Sequence, residues 1–178
     1  MHSQKWLMLL INVIGGAAVL GSYVWGFQTY PGATDVLWGG VPENIRPYYT
    51  ANMFVAAAGY FAFIYFTLFR LNPTGTRVFN RFGFGLFNSL YAAILIPSAL
   101  WMPLSLMAVE QSSIFLEWVV RLILAVVGLA SLGLFFALVK VEPRKPRWAH
   151  ILAVAGSVGF CLQTVLLDAI IWSALFSV

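Results

Sequence analysis

Charge is what this sequence has least of. Only 9% of its 178 residues are charged, ten basic and six acidic. A water-soluble domain carries nearer a quarter, so side chains this apolar exclude one. Cysteine is almost missing too. The single Cys161 rules out an intrachain disulfide and any four-cysteine metal site, and says nothing of redox compartment. The only histidines, His2 and His150, fall in or near connections, which gives no support to a bis-histidine haem in mid-membrane. The net charge of +4 is spread among connections rather than gathered on one amphipathic face, so nucleic acid is not an expected partner.

What is abundant is apolar sequence, 61% of the chain. A bilayer core of ~30 Å takes about 20 apolar helical residues. Five continuous runs meet that length, at about 5–27, 51–70, 82–107, 115–140 and 148–175. None alternates as a strand would, so the expected fold is all-α: a single domain, 1–178, of five transmembrane helices. Asn72-Pro73 after the second run, and Glu142-Pro143 with Pro146 after the fourth, are plausible stops. The start, MHSQKWLMLLINVIGGAAVLGS, has a basic residue, an apolar stretch and small residues like a signal peptide. Its apolar run continues through Tyr23, Val24, Trp25 and Phe27, which predicts an uncleaved first span.

Basic residues set a direction. Lys5, Arg70, Arg77, Arg81, Lys140, Arg144, Lys145 and Arg147 lie on the side of the N-terminus, against Arg46 and Arg121 on the other. The N-terminus is therefore expected in the cytoplasm or its organellar equivalent, and the C-terminus across the membrane. Most acids lie on the far side: Asp35, Glu43, Glu110, Glu117 and Asp168. The long first connection, residues 28–50, holds three prolines and the aromatics Trp38, Tyr48 and Tyr49. It is expected either to fold back as a lid over the far helix ends or to lie among headgroups.

Asp168, in QTVLLDAIIW, is a carboxylate inside an apolar run. At α-helical spacing it shares a stripe with Ser157, Cys161, Thr164 and Trp172. On the fourth helix Glu117, Arg121, Ala125 and Gly128 form another. Counted inward from the ends of their spans, Arg121 and Asp168 lie within roughly a turn of the same depth. They are expected to pair, with Glu117 as the competing partner, either as a packing salt bridge or as the polar floor of a pocket. Five of seven tryptophans, Trp25, Trp38, Trp101, Trp118 and Trp172, crowd the same half, whereas a membrane belt alone would split them more evenly. Pro97 and Pro103 bracket Trp101 and are expected to bend or end the third helix. Gly15, Gly16, Ala17 and Gly21, with Ala56, Ala57, Ala58 and Gly59, allow close helix contacts within the chain or in a homodimer.

This arrangement resembles the translocator protein family, also called tryptophan-rich sensory proteins. WGGVPENIRPYY at 38–49 leads to Gly59-Tyr60, Trp101 stands near Pro103, and Asp168 precedes Trp172 by four residues. The family has an asparagine at the position of Asp168. Its third-helix Asn-x-x-Trp-Pro is also altered here to Ser98-Ala99-Leu100-Trp101-Met102-Pro103. The resemblance implies a five-helix protein binding a flat hydrophobic ligand, such as a tetrapyrrole or a sterol-like lipid, beneath the first loop. Trp25, Trp38, Trp101, Arg121, Asp168 and Trp172 are the expected ligand contacts. No nucleophile–base pair, metal-ligand spacing or phosphate loop is present, so no catalytic or metal residue is expected, and no cofactor is firmly implied. Carboxylates handling protons, at Glu117 and Asp168, are the enzymatic alternative. A non-catalytic subunit of a larger membrane complex is the other. The expected partners are the bilayer, a hydrophobic small molecule and, for either role, a second copy or other membrane subunits.

Overall fold

A computed structural model describes residues 2–178. Five helices are long and apolar enough to cross a membrane: Ser3–Thr29, Arg46–Arg70, Gly85–Glu110, Ile114–Lys140 and Arg147–Leu175. The protein is a multi-pass integral membrane protein, a five-helix bundle. In chain order the α-helical elements are α1 (Ser3–Thr29), α2 (Ala33–Trp38), α3 (Arg46–Tyr65), α4 (Gly85–Glu110), α5 (Ile114–Lys140), α6 (Arg147–Cys161) and α7 (Ser173–Leu175). Two spans change winding along their length. The second ends in a π-helical turn, Phe66–Arg70, and the fifth is π-helical over Leu162–Trp172, between α6 and α7.

The spans close into a ring. α3 packs on α6, α6 on α5, α5 on α4 and α4 on α1. Tyr60 Oη donates to Asn12 Oδ1 and brings α3 back to α1. Lipid is as apolar as leucine, so burial does not drive such helices together; close packing and interhelical hydrogen bonds do. The tightest crossing shows how. Gly59 on α3 meets Gly156 on α6 backbone to backbone, and a Cβ on Gly156 would stand 2.6 Å from the Gly59 Cα. Gly15 takes Leu95 of α4 in the same way. Gly16 and Gly21 face open space, so small residues serve intrachain contacts at some positions and not at others. Phenylalanines and tyrosines fill the half of the ring nearer the N-terminus, with Phe63, Phe66, Phe84, Phe87 and Tyr91 all buried.

The structure differs from expectation in two places. α3 starts at Arg46 rather than 51, with Pro47 in the first turn, where its missing N–H costs nothing. α4 runs to Glu110, through Pro97 and on past Pro103, so neither proline ends it. The connections on the N-terminal face carry a minimal antiparallel pair, β1 (Arg77–Val78) with β2 (Val141–Glu142). Val78 and Val141 are both buried there, which ties the 71–84 connection to the end of α5.

Candidate functional site

The far half of the ring is where the polar and aromatic side chains meet. Residues 28–50 fold back over the helix ends. α1 runs to Thr29, α2 follows, and Gly39 and Gly40 then lie against the chain's last turns. Gly39 has a positive φ of 51°, and a Cβ there would sit 3.4 Å from the Phe176 ring. Only glycine combines that backbone with that closeness at no steric cost. The cap is fastened from below by Trp172, whose Nε1 donates to the Leu37 carbonyl at 2.7 Å.

Three of the expected tryptophans come together. Trp101 of α4 meets Trp172 edge to face at 5.3 Å, and Trp172 stacks on Phe176 at 4.4 Å and 15°. Tyr23 of α1 packs beside Trp101 at 5.9 Å. Trp38, above them in the cap, packs edge-on against Tyr49 and lies under the Arg46 guanidinium at 5.4 Å. The Trp101 Nε1 is buried and has no hydrogen-bond partner. Trp25 stands apart. It is 41% exposed and packs on Tyr30 at the outer flank of α1. The rings are packed on one another, so this is a closed arrangement.

Asp168 and Arg121 do not pair. The Arg121 Nη2 lies 2.5 Å from Glu117 Oε1, one turn back on the same helix, and donates to the Phe176 carbonyl at 3.0 Å. Its guanidinium covers the Trp118 ring at 4.8 Å. The Glu117 Oε2 accepts from the Val178 N–H at 3.3 Å. The competing partner has won, and the pair clamps residues 176–178 onto α5.

Asp168 finds its partners on its own span, which is π-helical and bonds i to i+5. Gln163 Nε2 donates to Asp168 Oδ1 at 2.8 Å, and Ser173 Oγ donates to the Asp168 carbonyl at 3.1 Å, both at a spacing of five residues. Gln163 in turn accepts from Asn52 Nδ2 of α3 at 3.0 Å, and that amide also donates to the Gly159 carbonyl at 3.3 Å. A relay thus runs Asn52→Gln163→Asp168 across the α3–α6 crossing, about 10 Å below the end of its span at 1.5 Å per residue. Tyr49 spends its proton on the Leu167 carbonyl at 2.8 Å. Among the described residues no cation pairs with Asp168.

Asn52, Gln163, Tyr23 and Tyr49 are thus site residues that the sequence reading passed over. One signal was available: Asn52 is the only side-chain amide between Thr50 and Arg70. Chemically, the site offers one oriented hydrogen-bond acceptor and one orphan indole donor among aromatic faces. No group of three or more His, Cys, Asp or Glu suited to a metal occurs among the described residues. Comparison with protein-family models, curated proteins and solved structures yields no match.

Proposed function

We propose that this protein binds a flat hydrophobic small molecule in the far half of the ring, beneath the 28–50 cap, and moves or senses it. The observation that carries the reading is Asp168, a carboxylate at membrane depth held by a two-amide relay and left without a cation. An intramembrane ionisable residue is costly and is by default functional. With Arg121 engaged by Glu117, the edge of the ligand that meets Asp168 is a hydrogen-bond donor or a cation. The faces of Trp101, Trp172 and Tyr23 take its ring system. The resemblance to the translocator proteins favours a tetrapyrrole or a sterol-like lipid. Because the rings are closed on one another, entry requires the cap to lift, breaking the Trp172–Leu37 bond. The N-terminal face is assigned to the cytoplasm or its equivalent on its excess of basic residues.

The test is quenching of tryptophan fluorescence by protoporphyrin in detergent. Saturable quenching is expected, weakened about tenfold in Asp168→Asn and more in Trp101→Ala with Trp172→Ala, since a charge-assisted hydrogen bond contributes about 1.5–3 kcal/mol. Absence of saturation, or identical curves in all variants, rejects the reading.

A second reading is a non-catalytic subunit of a membrane complex. It is favoured by the outer side of α1, where Leu10, Val13, Ile14, Leu20 and Val24 are exposed. Obligatory co-purification with other chains in mild detergent supports it. A stable monomer or homodimer opposes it.

A further inference from the structure

The N-terminal face carries eight basic residues and, among the acids, only Glu142. Among the described residues the one ion pair is Glu117–Arg121, on the opposite half, so none of these eight cations is neutralised by a carboxylate. Two of them converge. Between the start of α1 and the end of the second span lies a concavity of about 410 Å³, lined by His2, Lys5, Phe69, Arg70 and Asn72 among others. Arg70 is held in position there. Its Nε donates to the Tyr65 hydroxyl at 2.9 Å, and its guanidinium lies over the Tyr65 and Trp148 rings at 5.0 and 5.9 Å. Lys5 lies in the first turn of α1, at the positive end of that helix's dipole. No carboxylate lines this hollow. The other concavity on the face, beside Arg77 and Arg144, includes Glu142, which opposes an anion.

We propose that the Lys5–Arg70 hollow binds the phosphodiester headgroup of an anionic phospholipid. Both cations stand at the end of membrane spans, where a headgroup phosphate sits. Phe69, 65% exposed, lines the hollow and offers apolar surface to the acyl chains. A guanidinium already oriented by aromatic neighbours loses little freedom on forking to a phosphate, and basic hollows between spans suit such headgroups.

Native mass spectrometry in neutral detergent tests this, with phosphatidylglycerol and phosphatidylcholine of identical acyl chains as probes. The wild-type protein is expected to retain phosphatidylglycerol preferentially, and the preference is expected to shrink as salt is raised. Lys5→Ala with Arg70→Ala is expected to weaken phosphatidylglycerol binding roughly thirtyfold, from about 1 kcal/mol per basic residue. Lys5→Arg is expected to keep it, as is Arg77→Ala with Arg144→Ala. Equal retention of the two lipids by wild type, no loss in the Lys5/Arg70 double variant, or equal loss in the Arg77/Arg144 pair overturns the site. Displacement of the lipid by millimolar inorganic phosphate overturns the assignment to a lipid headgroup.

Discussion

Removing the Arg121 guanidinium, as in Arg121→Met, strands the Glu117 carboxylate, which is left with the Val178 N–H alone. It also frees the Phe176 carbonyl. Breaking a fully buried pair from one side costs about 3–5 kcal/mol. Here the Arg121 and Glu117 side chains are 27% and 11% exposed, so water screens part of that cost. About 2–3 kcal/mol is the expected loss. Adding Glu117→Leu removes the stranded charge, and the double variant is expected within ~1 kcal/mol of wild type, because apolar replacement of a whole buried pair is close to neutral. Adding Asp168→Asn to Arg121→Met instead is expected to restore nothing. Equilibrium unfolding in mixed micelles reads all three. Rescue by Asp168→Asn as large as that by Glu117→Leu would refute the assignment of partners. Equal losses in the single and double variants would refute a direct Glu117–Arg121 interaction.

Other outcomes follow from neighbouring geometry. Gly59→Ala drives a Cβ into the Gly156 backbone, 2.8 Å from its carbonyl carbon, where no rotamer relieves it; a loss of about 1–3 kcal/mol in the same unfolding assay is expected. Gly16→Ala, which meets open space, is expected within about 0.5 kcal/mol of wild type. Trp172→Phe keeps the stacking on Phe176 but loses the bond to Leu37, so faster hydrogen exchange confined to residues 33–41 is expected, and an unchanged rate would show that the bond does not hold the cap. Thr74→Cys and Thr34→Cys, both exposed on opposite faces, are expected to react with impermeant thiol reagents from opposite sides of sealed vesicles, Thr74→Cys from the cytoplasmic side. Labelling of both from one side would contradict five crossings.

The fold was legible because continuous apolar runs of membrane length have one physical solution. The ends were less so. The first connection was read to 50, yet α3 begins at Arg46 with Pro47 in its first turn, and of the two expectations for Pro97 and Pro103, a bend or an end, the end does not occur. The two-residue β1–β2 pair leaves no periodic trace. At the candidate site, composition put five tryptophans in the far half, and three of them, Trp38, Trp101 and Trp172, lie in one aromatic cluster there. It missed Gln163 as the partner of Asp168, since residues five apart face away from each other on an α-helix and only the wider winding brings them together. Glu117, the alternative for Arg121, was visible as an i,i+4 pair, the simplest relation two helical charges have.

The overwound alternative to those eleven wide residues has a consequence of its own. Were Leu162–Trp172 to tighten into ordinary α-helix, by loss of one residue or by strain from a lifted cap, Gln163 and Asp168 would no longer lie above one another, and Trp172 would turn off Leu37. Both bonds depend on one stretch of helix, so the tether of the cap and the partner of the acid would be lost together, without a loop or a hinge.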